Sequence, residues 1–128
     1  MVGDKMNYSL APSEDGKYII LTVRGEINRK IALQQNLEAH ALGRKLGVNR
    51  YLVDVTAAKN TDTVKDSYDF AYTDMHITEG IDNTARVATV VSPDDHSHDF
   101  IETVCRNSGL NLTLFTDFEQ AVQHLLKG

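Results

Sequence analysis

Ala85-Arg86-Val87-Ala88-Thr89-Val90-Val91-Ser92-Pro93-Asp94-Asp95 is the stretch on which the fold turns. Ala85 to Val91 is apolar and β-branched with one charge, the strongest strand pattern in the chain. The next four residues read as a helix start. Ser92 can cap, Pro93 suits the first helical position, and Asp94 and Asp95 face the positive end of the helix dipole. That helix is expected to run to about Asn107, where Gly109 closes it. A strand that feeds a helix predicts a parallel crossover.

The same rhythm extends in both directions. Upstream, Tyr51 to Val55 is a compact apolar strand, and polar Lys59 to Asp62 introduces a helix from about Thr63 to Met75. Downstream, Leu110 to Phe115 is a strand, and Thr116-Asp117-Phe118-Glu119 reads as a capping box for a last helix ending near Leu126. Near the start, Tyr8 to Ala11 and Tyr18 to Val23 form a hairpin across the turn-rich segment Pro12 to Gly16. A helix from Arg29 to Leu46 comes next, stopped by Gly47. The expected fold is α/β: a mostly parallel five-stranded sheet with an antiparallel edge strand and about four helices, in a single domain over residues 1–128.

Composition narrows the functional classes. The chain has 128 residues, 41% hydrophobic, with 13 Lys+Arg against 18 Asp+Glu and a net charge of −5. Dispersed cations on an acidic chain are a poor fit to a phosphate backbone, so no nucleic-acid partner is expected. No apolar run approaches the ~20 residues that span a bilayer, and no basic-then-apolar leader opens the sequence. The expected location is the cytoplasm. Cys105 is the single cysteine, so it cannot pair within the chain, and it reads as a small buried apolar residue.

The chain resembles the SpoIIAA-like branch of the STAS fold, the family of anti-sigma factor antagonists and sulfate-transporter regulatory domains. Four segments carry the resemblance: Ile19 to Ile27, Tyr51 to Val55, Ala85 to Pro93, and Leu114 to Ala121. The resemblance implies a regulatory protein that docks a protein partner. The family's switch is an Asp-Ser-Ser-Gly element eight residues after an Asp at a strand end. Counting from Asp54 places Asp62 and Thr63 there, so Thr63 would stand where the phosphorylated Ser stands. The pattern departs from the family at Asn60-Thr61, Val64 and Lys65. A phosphate on Thr63 would sit at a helix N-terminus, where backbone N–H groups favour an anion. The plain alternative is that Asp62 or Thr63 only caps the helix.

Helical wheels nominate the binding surface. On the second helix Val64, Tyr68, Ala71, Tyr72 and Met75 form a stripe expected to face the sheet, with Phe70 about 200° from Tyr68 on the polar side. On the first helix Ile31, Ala39, Leu42 and Leu46 form one stripe, and Leu33, Leu37 and Ala41 another on nearly the opposite side. A helix apolar on both sides is covered twice. Leu33, Leu37, Phe70, Tyr72 and Met75 are therefore the candidate surface for a protein partner or an apolar small molecule. A second copy of the chain and a membrane surface are further candidates. The STAS fold is similar in architecture to the lipid-binding CRAL-TRIO fold, which implies an apolar-ligand alternative.

Catalytic signals are sparse. Asp94, Asp95, His96, His98 and Asp99 form the one metal-like cluster, but on a helix His96 and His98 point about 200° apart. His40, His76 and His124 read as isolated surface residues. No nucleophile elbow, phosphate loop or dinucleotide fingerprint occurs, and Asn111-Leu112-Thr113 matches a glycosylation sequon inside an expected strand. The expectation is a binding protein with no enzymatic activity, no metal and no cofactor.

Overall fold

A computed structural model describes residues 7–127. Tyr8–Pro12 (β1), Ile19–Ile27 (β2), Arg50–Asn60 (β3), Arg86–Val90 (β4) and Asn111–Phe115 (β5) lie side by side in chain order. β1 pairs antiparallel with β2, and the other three pairings are parallel. Arg29–Leu46 (α1) joins β2 to β3. Val64–Asp69 (α2), a π-helical turn at Phe70–Asp74 and Met75–Ile77 (α3) make one continuous rod between β3 and β4. Asp99–Asn107 (α4) joins β4 to β5, and Phe118–Leu126 (α5) ends the chain. The expected α/β architecture, with its antiparallel edge and four helical rods, is what the structure has.

Topology decides where the helices go. The three crossovers advance in one direction across the sheet, and crossovers of one hand then land on one face. So α1, the 64–77 rod and α4 share a face. Their cores are Ile19, Leu21, Val23, Tyr51 and Val55 on one side, and Phe70, Ala71, Met75, Val104 and Cys105 on the other. α5 covers the opposite face, where Leu52, Ala88 and Val90 meet Ala121 and Leu125. Full burial of a side chain such as Leu125 contributes about 1.5–3 kcal/mol.

Local chemistry fixes the ends. Asn28 caps α1 by accepting from the Ile31 N–H at 3.0 Å, and Gly47 stops it at φ 72°. Gly43 lets α1 approach β3, because a Cβ there would collide with the Tyr51 hydroxyl. The last helix differs from expectation: Asp117, not Thr116, caps α5 by accepting from the Glu119 and Gln120 N–H groups. The helix expected from Ser92 begins seven residues later, at Asp99. Asp95 explains the delay. Its Oδ1 accepts from the Ser97 N–H at 2.9 Å, a local closure that competes with helix. β2 and β3 also run further than expected, pairing Arg24–Ile27 with Ala57–Asn60.

The helical faces need two corrections. On the 64–77 rod, Val64 is 69% exposed and Tyr68 50%, while Phe70 is 6% exposed and packs in the core with Ala71 and Met75. The expected inward stripe faces outward at Val64, Tyr68 and Tyr72. The inward face includes polar Ser67 and Asp74, which is why hydropathy alone misplaces it. On α1 the buried line is Gln35, Ala39, His40 and Gly43, with Leu46 and Ala41 exposed. The two leucine stripes are its flanks: Leu42 packs toward the sheet core and Leu33 toward Phe70 and Met75. Leu37 is half-buried beside Gly80.

Phe70→Ala should therefore cost about 3–5 kcal/mol in urea melts, whereas Val64→Ala should change stability by less than about 0.5 kcal/mol. Equal losses from the two would mean that the rod is rotated from this placement.

Candidate functional site

Between the sheet and its three covering helices lies a cavity of about 100 Å³. Its α1 wall is Asn28, Ala32, Asn36 and His40, residues four apart that share one line along a helix. Val53, Val87 and Leu112 supply the sheet floor, Phe70 and Met75 the wall of the 64–77 rod, and Ile101 and Cys105 that of α4.

His40 is the chemically distinctive member. It is 2% exposed, and its ring stacks on Tyr51 with centroids 4.5 Å apart. Its Nδ1 accepts from the Asp82 N–H at 2.9 Å, so in the neutral ring the proton sits on Nε2. Burial pulls its pKa down to about 4, against a smaller opposing effect of the Asp82 carboxylate. The expectation of a surface histidine is thus corrected. The signal in the sequence is the polar line Asn28, Asn36 and His40 running between two leucine stripes. Cys105 is buried as expected, and desolvation pushes its thiol up to about 12.

An ion-pair cluster lies next to the cavity, beyond Asn28 and Asp62. The Arg29 guanidinium grips Asp74 through Nε to Oδ2 at 2.7 Å and Nη2 to Oδ1 at 3.0 Å. It also reaches Asp69, which Lys65 holds at 2.6 Å. Asp62 Oδ1 accepts from the Arg29 N–H at 2.7 Å, and burial raises its carboxyl pKa. Thr63 is exposed and caps α2 by accepting from the Asp66 N–H at 3.1 Å.

The nominated residues therefore separate. Phe70 and Met75 line the cavity, Leu33 packs beside them, and Leu37 lies apart near Gly80. Tyr72 stays outside, its ring stacked on Tyr68 with centroids 4.4 Å apart. The acidic His cluster is dispersed. His96 meets Asp99, while His98 is buried against the Ala58 carbonyl and Asp95. Among the described residues no trio of His, Cys, Asp or Glu is arranged to share an ion. No helix among them is long and apolar enough to cross a membrane.

No family model matches the chain, and no curated protein matches it. Among solved structures it is similar to an uncharacterized protein from the DUF3478 family with a SpoIIAA-like fold, from Shewanella loihica PV-4. The TM-score is 0.55 at 13% identity, covering 98% of this chain and 99% of that one. The chain thus has a SpoIIAA-like fold.

His40 makes stability depend on pH. The unfolded imidazole takes a proton near 6.5 and the folded one only near 4. Between these values the unfolded chain binds more protons, so stability is lost as pH falls through the window, by on the order of 3 kcal/mol. His124, also lowered by burial, adds in the same direction. His40→Asn, which keeps an acceptor for the Asp82 N–H, should flatten the fall in thermal melts from pH 6.5 to 4.5. An unchanged slope would place the titration elsewhere.

Proposed function

We propose that this protein is a non-enzymatic regulatory binding protein of the SpoIIAA-like/STAS type, which docks a protein partner on the outer face of the 64–77 rod. One observation carries the reading: Val64, Tyr68 and Tyr72 stand exposed at successive four-residue steps of one helix. Tyrosines with exposed rings are effective anchors, because they bury large area with few rotatable bonds. Phe100, at the start of the adjoining α4, is a further exposed ring.

Charge specifies the partner. Residues 62–77 and 94–107 together carry eight carboxylates against Lys65 and Arg106; with Asp74 turned inward onto Arg29 and Asp95 onto His98, six are left for the outer side. A partner with an apolar patch rimmed by Lys and Arg complements this face and would be steered to it. Thr63 adjoins Val64 at its edge, with Asp62 beside it. A phosphate on Thr63 would add to the acidic rim and tighten the contact.

The non-enzymatic reading draws support from the interior groups. His40 is too weak a base and Cys105 too weak an acid to drive proton transfer near neutral pH. The cavity favours a second reading, an apolar-ligand carrier, and its volume suits a small molecule rather than a lipid chain.

A photo-crosslinking residue at position 68, in cells that make this protein natively, tests the docking surface. It should capture one other protein, with Tyr72→Asp and about 0.5 M salt weakening capture and Thr63→Glu increasing it. A crosslinked homodimer, or the same capture from exposed Phe118 on α5, would contradict the proposal.

A further inference from the structure

We propose that the cavity beneath α1 binds a small uncharged molecule with an apolar body and a single hydrogen-bond acceptor, which takes the Nε2–H of His40. The proposal rests on the apolar-ligand reading of the cavity and gives it a ligand class and a recognising atom.

Three observations carry it. His40 Nε2 is buried and has no protein acceptor among the described residues, although its ring lines the cavity. A buried donor left without an acceptor is costly, so an acceptor seated in the cavity gains over plain apolar burial.

The second observation is what several other polar groups on the wall are doing. Asn28 caps Ile31, Asn36 donates to the Ala32 carbonyl, and Asn60 accepts from the Asp62 N–H. His98 meets the Ala58 carbonyl, and Asp82 holds Thr84. A buried water needs 2–4 polar partners. Around His40 the lining is mainly apolar, with Phe70, Met75, Val87 and Leu112, and carries Thr89, Asn83 and Asn111 as further polar side chains. A molecule with an apolar body and one acceptor fills the apolar part of this wall and partners the one lining atom that is buried without a partner among the described residues.

Third, charge and size set the limits. Asp62 and Asp82 also line the cavity, which disfavours a carboxylate ligand. The neutral ring of His40 supplies a donor without a positive charge. At about 100 Å³ the space is somewhat smaller than the ~150 Å³ cavity that accepts benzene. It suits ligands of roughly four to six non-hydrogen atoms, with a carbonyl as the simplest acceptor.

Cyclopentanone and cyclopentene, two five-membered rings with and without an acceptor, separate the parts of this proposal. Both should stabilise the protein in thermal melts. Only cyclopentanone should shift the His40 Nε2–H resonance in ¹⁵N NMR spectra. His40→Asn should weaken cyclopentanone binding about tenfold, the weight of one buried hydrogen bond, and leave cyclopentene unchanged. Should that variant fail to fold, Ala32→Leu, which fills the α1 wall, should abolish binding of both rings.

Binding of cyclopentene with no preference for the ketone would overturn the His40 assignment and leave the apolar reading. Binding of neither ring would overturn both. An Nε2–H resonance that does not shift in saturating cyclopentanone, or ketone affinity unchanged by Ala32→Leu, would also overturn the proposal.

Discussion

The two-point grip of Arg29 on Asp74 sets the phase of the 64–77 rod. A carboxylate turned inward from a helix is costly unless it is paired and hydrogen-bonded. Arg29 meets both of its oxygens, and Asp74 can then sit on the buried side of the rod with Ser67 and Ala71. The paired geometry is directional as well as attractive. It ties the first turn of α1 to the rod, and the Asp62 bond to the Arg29 N–H ties the same turn to the end of β3.

The π-helical turn does the rest. On a regular α-helix Phe70 and Met75 would lie about 140° apart and could not share a wall. The Met75 N–H instead bonds to the Phe70 carbonyl, five residues back, which sets the two side chains one turn apart on one face. Both then reach the cavity opposite His40. The same phase leaves Val64, Tyr68 and Tyr72 outside. One helix thus supplies an inner wall and an outer surface, with Asp74 and Arg29 between them.

Strand and helix order is readable from the sequence because apolar runs, turn residues and caps agree with one another, and α1 occupies the expected span from Arg29 to Leu46. The elements that sequence reasoning misplaces share a cause. Asp95 and Asp74 are polar residues whose partners are set by loop geometry or are remote, and Ser67 is polar yet buried. Cap and dipole signals place the start of α4 at Ser92, and hydropathy counts Ser67 and Asp74 as solvent-facing, which misplaces the inward face of the rod. His40 escapes for a related reason. Its burial depends on stacking with Tyr51 and on the Asp82 N–H, 42 residues away, and the polar line from Asn28 to His40 between two leucine stripes is its local sign. The SpoIIAA-like resemblance is visible in four segments, because strand order survives where identity is low.

Cavity wall and outer surface both depend on the phase of the rod, which a through-hydrogen-bond NMR coupling reads out. In uniformly ¹⁵N,¹³C-labelled protein, the Met75 amide nitrogen should couple to the Phe70 carbonyl carbon. Coupling to the Ala71 carbonyl instead would mean a regular α-helix. Phe70 and Met75 would then part, and the shared wall opposite His40 would not exist.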